Sequence, residues 1–527
     1  MNIREGSWKS SLLLGFVVLS VCFQHGYADV VKVKSPQELI NLFKSGSTVN
    51  DTVQLASDLD FSGSSHTLPL GAFSNGTCVA FTGVFEGNGH SIKNLKMNNK
   101  YNAGYSNAGL FCSLKNATID NLVIDSSCSF IGYYAGALSV SVNGSLIVKR
   151  TTNNAAVSGT QRVGGFIGFV EELEEPTLIS FEDCVNHGTI IGISGSVGGF
   201  VGYIKKNINM TLTVSDSSNN AIITAASYAG GFVGEVASNT YMTITISSFI
   251  NDGIITGSDG FIGGFVGNME ENINLTMIID SSHNNGFANG DSRIGGFVGD
   301  IFRNTNTTMI ISNSTNNGMI TGNSYAGGLF GRINSMSTTS VSNSISFSIT
   351  NSANKGSVLV KQGMACGFIC VDTRFNYKVN ITIKNSVNKG DVNAATDAYG
   401  FANIITAARN VVSMGDVTGS SGSSFWGEST DVGLFYGVKN KCTLCSDATL
   451  FQHNTNTGFY EVTGSGEHVD DLLNGEEAKQ HFCMVWTKEL ELVHSGREDC
   501  KILSAAILNA LSPIAFIAVF LTLFIGF

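Results

Sequence analysis

Carboxylates, histidines and cysteines are the side chains through which this chain could do acid–base, nucleophilic or metal chemistry. Their spacing forms no reactive set. A glycan-cleaving site on a repetitive β scaffold needs clustered acids, with Arg, Lys or His nearby, on one face of neighbouring units. Asp183 and Asp216 fall at equivalent places in a repeat, but the same place becomes Ser248, Ser281 and Asn313 further along. The acidic run at 171–175 reads as a solvated loop rather than a metal site. Asp470 and Asp471 read as solvated acids at a helix start, and His90 sits in a turn, GNGHS. HExxH, GxSxG and phosphate-loop motifs are absent from the sequence. The expectation is therefore a chain with no catalytic, cofactor-binding or metal-ligating residues.

Cysteines and glycosylation sequons carry the remaining chemistry. Cys442, Cys445, Cys483 and Cys500 form a C-terminal group, read as disulfides that staple a terminal cap. A zinc site or a redox CxxC is the alternative, but no His cluster accompanies them and the compartment is oxidising. Cys112, Cys366 and Cys370 stand where a repeat otherwise has glycine. They read as buried small apolar residues rather than bridges. Cys78, Cys128 and Cys184 cannot be paired from sequence. Nine N-x-Ser/Thr sequons occur, at Asn50, Asn75, Asn116, Asn143, Asn209, Asn274, Asn306, Asn313 and Asn380. Asn209, Asn274 and Asn306 each lie ten residues after the glycine that precedes a recurring Phe. They should project from one edge, leaving another face for a partner.

The two ends read as addresses. Residues 1–28 look like a secretory signal: Arg4 and Lys9, an apolar run at 11–23, then Gly26-Tyr27-Ala28 as a cleavage site. The apolar run is too short to span a membrane. Residues 501–527 look like a glycolipid-anchor signal, with Ser504 or Ser495 as the attachment site and an apolar tail. A single C-terminal membrane helix is the alternative, but no Lys or Arg follows the tail. Both readings place the chain on the outer face of the plasma membrane. The net charge of −11 argues against a nucleic-acid partner. With 43% apolar and 13% charged residues, the chain is not of disordered composition.

What must position everything between the two ends is a repeat. GGFIG at 164–168 returns as GGFVG at 198–202, 230–234, 263–267 and 295–299, and as GGLFG at 327–331, every 32–34 residues. Worn copies follow at 366–370 (CGFIC) and 399–403 (YGFAN). Each unit adds a polar segment of varying length, an alternating strand such as LTVSDSSN, and N-x-G-x-I-x-G. Units rich in Gly, Ser, Asn and Ile do not suit helical repeats, and the period is too short for a propeller blade. Three short β segments and three turns per unit fit one coil of a parallel β-helix, right-handed by the rule for parallel crossovers. The scarcity of proline, four residues in all, agrees with strands paired on both sides.

Stacking coils about 4.8 Å apart makes like residues into columns. Phe166, Phe200, Phe232, Phe265, Phe297, Leu329, Phe368 and Phe401 should form one apolar column. Asn153, Asn186, Asn219, Asn251, Asn284, Asn316, Asn354 and Asn388 should form an amide ladder at a turn. A repeated Asn could also bind calcium, but no acid repeats with it. The glycines beside the Phe would let the backbone bend or approach closely.

The entry segment, VQLASDLDFSG at 53–63, FTGVFEGNGHSIKNLKM at 81–97 and AGLF at 108–111, together with the Gly-rich repeat, resembles proteins carrying the GLUG motif. The resemblance covers roughly residues 31–419, and it implies a Gly-rich repeat found mostly in surface proteins. The organisation expected is an N-terminal cap and first coils at 29–107, the repeat solenoid at 108–419, and a C-terminal cap with the Cys-containing stalk at 420–500. The whole is an all-β parallel β-helix of about 9–11 coils, with short helical or mixed caps. Ser35, Pro36 and Glu38 should start an amphipathic capping helix. A turn at 420–424, a last coil near 431–438, a helix at 468–481 and a strand at 484–492 complete the reading. The function expected is that of a glycosylated surface adhesin or coat component that binds an extracellular protein or glycan. The alternatives are a carbohydrate-binding or polysaccharide-cleaving rod and a passive coat protein. A row of exposed aromatics beside carboxylates would favour carbohydrate; the recurring Phe belong inside, and no other row is evident.

Overall fold

The computed structural model describes residues 30–413, except 45, 47, 101–104, 335–343 and 373–377. It also describes short backbone stretches at 417–418, 421–423, 428–432, 435–437, 484–486 and 492–494. The signal segment, Cys442, Cys445, Cys483, Cys500, Ser495, Ser504, the 468–481 helix and the apolar tail lie outside the described residues. So do parts of the polar segments near 332–346 and 372–378, where the sequence places insertions.

The chain winds into a parallel β-solenoid of about ten turns, with sheets of 25, 11, 10 and 9 strands running along its length. It opens with strand β1 (Val30–Val33) and helix α1 (Pro36–Leu42). Ser35 caps α1 by accepting a hydrogen bond from the Glu38 amide, and Glu38 reaches back to the Lys34 amide. Leu39 is the buried anchor of this helix.

One coil shows the plan. Strands β2 (Thr177–Glu182) and β3 (Val185–Asn186) lie in the large sheet. Strand β4 (Ile190–Gly192) lies in the 11-stranded sheet, β5 (Ser196–Gly198) in the 10-stranded and β6 (Val201–Lys205) in the 9-stranded. Each coil thus has five short segments rather than three. The long alternating strand is broken at a corner where Arg150, Asp183, Asp216, Ser248, Ser281 and Asn313 all adopt left-handed φ of 45–53°. The Asp and Asn members of that column follow from backbone sterics, since their short polar side chains tolerate this conformation, and not from acid–base chemistry.

The core is a set of aligned columns. Phe166, Phe200, Phe232, Phe265, Phe297, Leu329, Phe368 and Phe401 are all fully buried. Ring centroids lie 4.9 Å apart for Phe166–Phe200 and 4.7 Å for Phe265–Phe297 and Phe368–Phe401. Phe181 and Phe249 reach into the column from the large sheet. Each buried ring contributes roughly 2–3 kcal/mol. From Asn153 to Asn388, every amide donates to the carbonyl oxygen of the next Asn at 2.7–2.9 Å. The second N–H of most of these amides reaches the backbone carbonyl two residues on. Both donors are used, so a fully buried polar side chain is tolerated.

The glycine pairs serve close approach. None of the motif glycines has a left-handed φ. A Cβ on Gly231 would stand 2.3 Å from the Gly264 carbonyl and 2.5 Å from Asn251 Oδ1. The glycine and asparagine columns are therefore one packed unit: removing Cβ from the first makes room for the amide of the second.

Three expectations need correction. Cys366 and Cys370 are buried but bridged, and Cys112 is bridged to Cys78. The tight bend brings the first and fifth motif positions to a Cα separation of 5.5 Å, within bridging range. Cys128 and Cys184 are the buried free thiols among the described residues, with burial raising them to about 11 and about 12. Second, Ser421–Ser423 is a strand paired in parallel with Asp397–Tyr399 where a turn is expected, whereas the strands at 428–432 and 435–437 add the further coil expected there. Third, the 484–492 strand is two short antiparallel strands, Met484–Trp486 and Leu492–His494. Among the described residues no helix is long and apolar enough to cross a membrane.

Candidate functional site: the flanks of the GGFVG bend

GGFVG is the corner between the 10-stranded and 9-stranded sheets. Its two flanking residues, two before the first glycine and one after the last, project on the opposite side from the core Phe. Along the solenoid they form two columns. One runs through Ser196, Tyr228, Phe261, Arg293 and Tyr325, paired in register. The other runs through Phe169, Tyr203, Glu235, Asn268, Asp300 and Arg332. The first column is mostly half-exposed, whereas Tyr203, Glu235, Asn268, Asp300 and Arg332 form a buried floor.

The columns interlock. The Arg162 guanidinium stacks 4.8–5.0 Å from the rings of Tyr134, Phe169 and Tyr203 and pairs with Glu171 at 2.6 Å. In the middle, Ser196 Oγ donates to Glu235. Burial pushes the Glu235 carboxyl above the usual range; the Ser196 hydrogen bond opposes this and nearby Glu270 adds to it. The Tyr228 and Phe261 rings pack tilted against each other with centroids 5.1 Å apart, and Arg293 lies 4.3 Å over Phe261. At the far end Arg332 grips Asp300 through two bonds of 2.8 and 2.9 Å. Burial pushes the Asp300 carboxyl up, and Arg332 pulls against it. Asn268 Oδ1 and Arg293 Nε are buried and have no hydrogen-bond partner within the protein.

This row overturns the expectation that no line of aromatics stands beside carboxylates. The rings of Tyr134, Phe169, Tyr228, Phe261 and Tyr325 come from positions that change type in every repeat, so identity matching passes over them. The usable signal was positional: R-V-GGFIG-F, S-V-GGFVG-Y, Y-A-GGFVG-E, F-I-GGFVG-N, R-I-GGFVG-D and Y-A-GGLFG-R flank one fixed motif.

The sequons sit elsewhere. Asn209, Asn274 and Asn306 occupy one left-handed corner column, shared with Tyr241, at the far end of the 9-stranded sheet. Asn209 and Asn306 are exposed and Asn274 half-buried. Asn50, Asn75, Asn116, Asn143, Asn313 and Asn380 are also exposed. Beside this corner a second amide ladder, Asn207, Asn239, Asn272 and Asn304, runs through the interior.

Other places carry less chemistry. An open cleft of about 570 Å³ beside α1 has His66 and Lys44 as its ionisable lining groups and no carboxylate. Burial lowers the His66 pKa. Among the described residues no group of three His, Cys, Asp or Glu is placed to hold a metal ion.

Sequence and structure comparisons give two matches. No protein-family model matches the chain. It is similar to halomucin of Haloquadratum walsbyi, 31% identical over 153 residues, which is 28% of this chain and 2% of that protein. The chain thus spans a small fraction of this relative's length. Among solved structures it is similar to a candidate immunoglobulin A1 protease from Bacteroides ovatus, at 18% identity and a TM-score of 0.38, covering 62% of this chain and 83% of that one.

Proposed function

We propose that this chain is a surface-displayed, glycosylated β-solenoid that acts as an adhesin or coat-associated interaction protein, with no catalysis of its own. One observation carries the reading. Inside the bend, Gly, Gly and an apolar residue recur coil after coil, because stacking demands sameness. Its flanks differ at every coil, and in the outer column Tyr228, Phe261, Arg293 and Tyr325 are half-exposed. Side chains free to vary on a fixed frame are the mark of a recognition surface.

The resemblance to GLUG-motif surface proteins and the partial likeness to halomucin support a location at the cell surface. The sequons favour the same address, as do the signal-like and anchor-like termini. We place the chain on the outer leaflet through a C-terminal lipid anchor, with an extracellular protein or glycan as partner. The test is binding of the purified full chain to cells before and after enzymatic deglycosylation. Saturable binding that survives deglycosylation agrees with the proposal; turnover of a polysaccharide library contradicts it.

A further inference from the structure

We propose that the aromatic row flanking the GGFVG bends binds a linear oligosaccharide lying along the solenoid axis. The inference rests on the reading of the chain as a surface-interaction protein and names the partner's chemistry. Seven successive coils, from Tyr134 to Tyr325, contribute to the row, a length of about 29 Å at the spacing of stacked strands. An extended ligand fits this shape, and a compact one does not.

The chemistry of the row matches a sugar chain. A pyranose presents an apolar C–H face and a rim of hydroxyls. Half-exposed rings of Tyr134, Phe169, Tyr228, Phe261 and Tyr325 supply flat apolar platforms. Between them stand groups suited to hydroxyls, which both donate and accept. Glu235 and Asn268 Oδ1 accept, and Arg293 donates. Asn268 is fully buried with an orphaned oxygen, and the buried Arg293 Nε on the next coil is an orphaned donor. An unpaired buried polar group is destabilising, so a ligand hydroxyl that reaches either atom is favoured. Ligand chains are recognised in this way when a few fixed polar groups orient an otherwise apolar contact.

An extended peptide is the competing occupant. Peptides recognised along a sheet usually add as a strand and use free backbone N–H and C=O groups. Here the strands on both sides of the bend are already paired with the coils above and below. Only side chains face the ligand, which favours the sugar.

The experiment uses the purified full chain and fluorescently labelled linear hexose oligosaccharides of increasing length, with a random-sequence peptide library in parallel. Affinity should rise with oligosaccharide length and level off at about six residues, the length of the row. The double variant Tyr228→Ala/Phe261→Ala should lose about tenfold or more in affinity while keeping its thermal midpoint. The variant Ile254→Ala, on an exposed position of another corner, should bind as the wild type does. Absence of oligosaccharide binding overturns the proposal, as does binding indifferent to length and to the double variant. Peptide binding lost in the double variant removes the sugar but leaves the surface-interaction reading intact. Cell binding unaffected by the double variant, with no oligosaccharide bound, removes the row itself.

Discussion

The inner and outer faces of the same five-residue bend obey opposite rules. Inward, Phe200, Phe232, Phe265 and Phe297 repeat without change and are sealed from solvent. Outward, only four residues earlier, Ser196, Tyr228, Phe261 and Arg293 share a register and nothing else. The difference teaches that a solenoid separates its two tasks by direction. Packing constrains what points in, and what points out is left to vary.

Variants of the two faces sharpen or break this contrast. The largest expected effect is at the frame glycines. Gly231→Ala places a methyl within 2.3 Å of the next coil's carbonyl, and the coils must separate. The loss should exceed about 4 kcal/mol, seen as a collapsed denaturant midpoint or failure to fold. Phe232→Ala should cost about 3–5 kcal/mol through the cavity it leaves. Asn251→Ala orphans Asn219 Nδ2 and Asn284 Oδ1, at about 1–3 kcal/mol for each buried group; chemical denaturation measures it.

On the outer face the effect is smaller and depends on pH. Burial raises the Glu235 carboxyl above its ordinary value of 4.5, so the fold favours the protonated form. Its contribution is complete below pH 4.5 and is lost as the pH rises through the raised value. Glu235→Gln, which cannot ionise, should match the wild type at acid pH and become relatively more stable toward neutrality. Thermal midpoints across pH 4–8 check the sign. A variant that is less stable than the wild type only at neutral pH would show that the ionised carboxylate is the structural form.

The same contrast explains what the sequence made legible. The β-solenoid, the Phe column, the Asn153–Asn388 ladder and the capping helix could be read, because stacking writes one residue type at one spacing. The second ladder was equally periodic, as GGFVGxxxxN, but lay in a segment dismissed as variable loop. The left-handed corner was hidden because Asp, Ser and Asn satisfy it interchangeably. The bridges at Cys78–Cys112 and Cys366–Cys370 were missed because Cys standing in for Gly looked like a small filler. The aromatic row was illegible to any search for sameness, since its members share a position and not a side chain.

The most direct test of this division is a paired measurement on two full-length variants, Gly231→Ala and Tyr228→Ala/Phe261→Ala, each scored for unfolding midpoint and for cell binding. The account predicts that the glycine variant loses stability, while the aromatic pair keeps its midpoint and loses binding. An aromatic pair that melts as early as the glycine variant, or that binds cells as well as the wild type, would contradict it.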